Sequence, residues 1–98
     1  MLWHTSFAIG TQTLASGGGS FAGGYQSTAS ATNSLAIGYQ TTASADYTTA
    51  MGYLTEANAI YATAFGRETT ASGETSFASG RNTIASGSYA TAIGQSTT

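Results

Sequence analysis

The chain has 98 residues, room for one ordinary domain at most. Charged residues make up 6%, the net charge is -2, and lysine, proline and cysteine are absent. These values exclude a basic surface that neutralises a row of phosphates, a disulfide framework and a thiolate metal site.

The chain opens Met1-Leu2-Trp3-His4. This start lacks a basic region followed by a long apolar one, so a signal peptide is not expected in it. No apolar run along the chain is long enough for a membrane-crossing helix. Residues 1–5 read as an N-terminal cap segment, with Trp3 covering the first coil of the structure that follows. His4 is the one histidine. Within one chain it cannot make a two-histidine metal site, and it reads as a terminal residue rather than a triad member.

From Ser6 to Thr98 the sequence falls into 14-residue units without insertion or deletion, seven in all with the last incomplete. The first is Ser6-Phe7-Ala8-Ile9-Gly10-Thr11-Gln12-Thr13-Leu14-Ala15-Ser16-Gly17-Gly18-Gly19. The third column is alanine throughout, from Ala8 to Ala92, and so is the tenth, from Ala15 to Ala85. The fifth is always glycine, Gly10 to Gly94, and the eighth is threonine except at Ser27. Ser-Phe-Ala-Ile-Gly alternates small and large residues, the period of a strand. The fifth-column glycine then fits a turn with positive φ. A second short strand such as Thr13-Leu14-Ala15 follows, with its eighth and tenth columns on one face, and a second turn closes the unit. Two strands and two turns per unit predict an all-β parallel roll, one coil per unit, stacked at about 4.8 Å.

Two columns that admit only alanine predict an interior too narrow for anything larger. Alanine buries little area, and burial stabilises by about 25 cal/mol per Å², so such a core is weak. The second and fourth columns must then face outward. They carry Phe7, Ile9, Phe21, Leu35, Ile37, Met51, Phe65, Phe77 and Ile93, a continuous apolar stripe. A stripe of that size would be a large exposed patch on a monomer and predicts burial against other copies, in a closed symmetric ring. Gly23 and Ser79 interrupt the fourth column and are expected to loosen that contact locally.

The unit Ser34-Leu35-Ala36-Ile37-Gly38-Tyr39-Gln40-Thr41-Thr42-Ala43-Ser44 resembles the head repeats of trimeric autotransporter adhesins, the YadA-like family of bacterial surface proteins. The resemblance covers residues 6–98. It implies a left-handed parallel β-roll and a parallel homotrimer with the nine stripe residues at the threefold axis. It also implies a non-enzymatic head, outside the cell and anchored in the outer membrane through regions not in this chain. Such a head attaches to extracellular matrix protein or to other cells. A bacteriophage tail-fibre segment that binds a bacterial surface glycan is the alternative.

No cofactor, metal, nucleic-acid partner or membrane contact is expected of the segment itself. Asp46, Glu56, Glu68 and Glu74 are expected to keep to separate columns, so that no acid/base pair stacks along the roll. A glycan-cleaving β-helix enzyme is the weakest reading for that reason. Gly17-Gly18-Gly19 lacks the Lys-Ser/Thr ending and following helix of a phosphate loop, and reads as a turn. The sixth column is richer: Tyr25, Tyr39, Tyr53, Arg67 and Arg81 are candidate surface ligand contacts, since tyrosine and arginine dominate binding hot spots. Ladder stacking that stabilises the roll is the plainer reading of the same residues. Tyr47, Tyr61 and Tyr89 in the last column carry the same two readings. The recurring eighth-column threonine also raises ice binding, but it shares parity with the alanine interior and is expected to bond inside the roll.

Overall fold

The computed structural model describes residues 5–98. Trp3 and His4, and most of the expected cap segment, lie outside the described residues. Each unit forms one long and one short strand. The long strands are β1 (Phe7–Thr11), β3 (Phe21–Tyr25), β5 (Leu35–Tyr39), β7 (Thr49–Tyr53), β9 (Thr63–Arg67), β11 (Phe77–Arg81) and β13 (Thr91–Gln95). The short ones are β2 (Leu14–Ala15), β4 (Thr28–Ala29), β6 (Thr42–Ala43), β8 (Glu56–Ala57), β10 (Thr70–Ala71) and β12 (Ile84–Ala85).

The long strands make a seven-stranded sheet and the short ones a six-stranded sheet, each in chain order. Every pairing is parallel and joins equivalent residues: Phe7 with Phe21, Ala36 with Ala50, Gly80 with Gly94. A parallel pair needs a crossover, and here the crossover from one long strand to the next is the short strand of the opposite sheet. The result is a β-solenoid with 14 residues per coil and no helix among the described residues, as the repeat predicts.

Between the sheets lie the alanines. Ala22, Ala36, Ala50, Ala64 and Ala78 of the long strands and Ala29, Ala43, Ala57 and Ala71 of the short ones are all fully buried. The largest fully buried side chains are threonines, Thr41, Thr48, Thr55, Thr69 and Thr83. The Cα atoms span only 10 Å in the thinnest direction. With so little apolar area inside, backbone hydrogen bonding between coils carries much of the order. It extends through the turns: Gln40 N–H donates to Tyr25 O at 2.7 Å, and Tyr47 N–H to Thr32 O at 2.9 Å.

The fifth-column glycines do have positive φ, 104° to 136°, but they lie within the long strands rather than at a turn. Their reason is close approach. A Cβ on Gly38 would run into the backbone carbonyl of Gly52 in the next coil, and the same holds from coil to coil. The left-handed turn residues sit two positions on, in the seventh column, and are not glycine: Gln12, Gln26, Gln40, Leu54, Glu68, Asn82 and Ser96 all have φ between 53° and 56°. From Gln26 on, coil-to-coil bonds such as Leu54 N–H to Tyr39 O, 2.9 Å, hold them in that uncommon region.

The eighth-column threonines point inward as expected, so they offer no face to ice. Thr41 donates to Ser27 Oγ at 2.9 Å, and Ser27 to Gly38 O at 2.9 Å. The hydroxyls of Thr55, Thr69 and Thr83 have no partner. Equivalent positions lie one coil rise apart, about 4.8 Å, beyond hydrogen-bond reach for hydroxyls carried in the same orientation. The bond forms where the residue changes from threonine to serine.

Candidate functional site

Alternation along the long strands turns the second and fourth columns away from the alanine interior. The stripe is therefore on the outside of the seven-stranded sheet. At its ends Phe7, Ile9 and Ile93 are 51%, 58% and 63% exposed. Phe21, Leu35, Ile37, Met51, Phe65 and Phe77 are half-buried, shielded only by their neighbours along the roll. Phe7 stacks on Phe21 with centroids 4.7 Å apart, and Phe65 meets Phe77 edge to face at 5.8 Å. All nine residues thus share one surface of a single chain.

In five of the seven coils the two columns compensate in size, the exceptions being Phe7 with Ile9 and Leu35 with Ile37. Phe21 accompanies Gly23, Thr49 accompanies Met51, Thr63 accompanies Phe65, and Phe77 accompanies Ser79. Gly23 leaves no gap in the chain itself. It is buried, and Phe21 Cε1 and Ile9 Cγ2 stand 3.6 Å from where its Cβ would be. Gly23→Ile alone should therefore displace the Phe21 ring and lower stability by about 1–3 kcal/mol. Adding Phe21→Thr, which recreates the native pairing of Thr91 with Ile93, should restore most of it. Urea denaturation of the single and double variants checks both.

One edge of the roll carries the sixth and seventh columns. Tyr25, Tyr39 and Tyr53 stack with centroids 5.0 Å apart at each step and planes within 10°. The guanidinium of Arg67 lies over Tyr53, 5.7 Å from its centroid, and Arg81 follows in register. Beside the rings runs an amide ladder: Gln26 Nε2 donates to Gln12 Oε1 at 2.7 Å and Gln40 Nε2 to Gln26 Oε1 at 2.6 Å. The structure brings all five candidate contacts into one row. It also occupies the ring faces with one another, so the row offers hydroxyls and ring edges outward. The Arg67–Glu68 pair, 3.6 Å and well exposed, adds little in water.

The opposite edge carries the thirteenth and fourteenth columns. Tyr47 and Tyr61 stack here at 5.4 Å. Asp46 Oδ1 accepts a hydrogen bond from Thr32 N–H at 3.1 Å, joining two coils at the turn. Aspartate's turn preference is the sequence signal for this role. The four acids do not all keep to separate columns, contrary to expectation. Asp46 and Glu74 share the thirteenth column, two coils apart with Ile60 between them, while Glu56 and Glu68 stand in other columns. Among the described residues there is no cavity and no cluster of three metal-ligating side chains.

The fold and these surfaces define a class: a parallel β-roll of 14-residue coils that packs alanine inside and keeps its bulky apolar residues outside. The chain belongs to the YadA head domain repeat family, whose two-copy model matches residues 4–27, 29–55, 43–69, 57–83 and 71–97. The last four matches begin 14 residues apart, at 29, 43, 57 and 71, which is the coil period. The family is that of surface-exposed trimeric autotransporter adhesins, adhesive and structural in character. Comparison with curated proteins gives no match.

Proposed function

We propose that this chain is a segment of an adhesin head that works outside the bacterial cell as a parallel homotrimer. Residues 6–98 form the repeat roll and the segment before them its cap. The head is non-enzymatic and attaches to extracellular matrix protein or to other cells. The observation that carries this reading is the apolar stripe. The side chains buried between the sheets are alanine, serine and threonine alone among the described residues, so the stripe is buried from outside or not at all, and sister chains carry the matching stripe. Phe7, Ile9, Phe21, Leu35, Ile37, Met51, Phe65, Phe77 and Ile93 would line the trimer axis, leaving both edges and the short-strand sheet for ligands. The sixth-column row is one such surface. The family match supports the adhesin rather than the tail-fibre alternative.

No helix among the described residues is long and apolar enough to cross a membrane. In this reading the anchor is a separate region. The test joins two measurements: solution mass by light scattering, and solid-phase binding of the same sample to collagen, fibronectin and whole cells. A trimer that binds at least one of these surfaces is the expected result. A folded monomer contradicts the assembly, and a trimer that binds none contradicts the adhesive role.

A further inference from the structure

The two edges of the roll carry unlike charge. Arg67 and Arg81, the chain's two strongly basic side chains, occupy adjacent rungs of the sixth column. They stand one coil apart, about 4.8 Å, in spite of their repulsion. Glu68 stands beside Arg67 at 3.6 Å, while Arg81 has no ion pair among the described residues. The opposite edge carries acids and no base: Asp46 and Glu74, both in the thirteenth column. Asp46 is engaged by Thr32 N–H of its own edge. Glu74 is exposed and has no ion pair among the described residues. Within one chain β11 lies between Glu74 and Arg81, and a five-residue strand spans about 13 Å, so the two charges do not meet there.

We propose that Glu74 of one copy stands between Arg67 and Arg81 of the next, and that this contact joins neighbouring copies at their edges. The inference rests on the parallel homotrimer above and adds a polar contact beside its apolar axis. Two arguments carry it. Copies that run parallel around one axis meet through unlike edges, because the rotation that generates the next copy turns the sixth-column edge of one toward the thirteenth-column edge of its neighbour. A closed ring also allows no shift along the axis, so residues of equal height face each other. Height follows from position in the coil. Glu74 comes seven residues, half a coil, after Arg67 and seven before Arg81. Its carboxylate therefore falls between the two guanidinium rungs of the next copy, about 2.4 Å from each along the axis. The other thirteenth-column residues, Gly18, Thr32, Ile60 and Ser88, are uncharged, so the unpaired acid coincides with the one doubly basic step of the sixth column. The guanidinium fork matches a carboxylate in shape as well as in charge. The ligand face of the sixth-column row then narrows to its tyrosine end, Tyr25, Tyr39 and Tyr53.

The test is a charge-reversal cycle read by solution mass against protein concentration. At low salt, Arg81→Glu and Glu74→Arg should each raise the concentration of half-assembly about tenfold, because the ring repeats the repulsion at every boundary. The two changes in one chain should bring it back to within about threefold of the wild type. Sites this far apart in a single chain act additively, so the recovery reports a contact between chains. In about 1 M salt the single-variant effects should fade. A second readout uses the cysteine-free background. A chain with both Glu74→Cys and Arg81→Cys should give covalent trimers with a short bismaleimide on a denaturing gel, and either cysteine alone should give none. Additive charge effects overturn the pairing, as does the absence of cross-linked trimers. Cross-linking by Arg81→Cys alone overturns it too, since like edges would then meet. If the wild type is a trimer and neither readout joins the edges, this contact falls and the adhesin reading stands. A folded, monomeric wild type removes the trimer and the contact together.

Discussion

Gly52→Ala will break the roll at one coil boundary and lower its stability by at least about 3 kcal/mol. Gly52 has φ of 127°, a region that only glycine enters freely, and an added Cβ would enter the carbonyl of Gly66. The obstruction is backbone, so no side chain can rotate away, and the two coils must separate. Because each coil of a solenoid touches only its neighbours, the damage should spread from β7 and β9 toward both ends. Two controls isolate the cause. Gly94 has nearly the same φ, 124°, but meets only Thr97 Oγ1 at 3.3 Å, so Gly94→Ala costs the backbone strain without the collision. Gly87 stands where Ala31, Ala45 and Ala59 stand in other coils, and its added Cβ meets only Ala90 Cβ at 3.7 Å. Gly87→Ala should be neutral or slightly stabilising, through the less flexible unfolded chain. Denaturation midpoints of the three variants should fall in the order Gly87→Ala, Gly94→Ala, Gly52→Ala, from most to least stable. Equal stability of Gly52→Ala and the wild type would refute the close-approach argument.

Ile37→Asp should dissociate the assembly. Ile37 is half-buried in the single chain, where its neighbours along the stripe are Gly23 and Met51. A carboxylate there stays hydrated in a monomer but loses its water in the proposed trimer. An unpaired buried charge costs about 3–5 kcal/mol, and it would be incurred by every chain of the assembly. The measured effect should therefore be a drop in solution mass at micromolar concentration, with loss of the roll following from the exposed stripe. Thr28→Glu is the matching control. Thr28 lies on the outer face of the short-strand sheet between Leu14 and Thr42, with no charged neighbour in the ladder, and its column carries Glu56 two coils on. It should leave mass and melting temperature unchanged. If both variants stay assembled, the stripe is not the contact between chains.

The columns were legible because a solenoid converts sequence period directly into spatial stacking. Any residue recurring every 14 positions must stack on itself, so Ala22, Ala36 and Ala50 declare an interior and Tyr25, Tyr39 and Tyr53 a ladder without any knowledge of long-range folding. The same logic placed Phe21 and Ile37 outside, since strand alternation leaves them nowhere else. Column membership is also readable by counting, and the placement of Asp46 and Glu74 in one column follows from the sequence itself.

What the sequence by itself determined is therefore the coil length, the parallel register, the alanine interior and the identity of the outward stripe. All four are consequences of a strict repeat acting through a backbone of fixed rise. Only the tertiary structure decided where the chain bends and what its glycines are for. The bend falls on residues such as Gln26, Gln40 and Leu54, which have no intrinsic liking for positive φ and are held there by hydrogen bonds to the adjacent coil. The glycines two positions earlier serve carbonyls 14 residues away. The partnering of the buried hydroxyls was likewise decided in three dimensions, because it depends on rotamers and on a coil rise longer than a hydrogen bond.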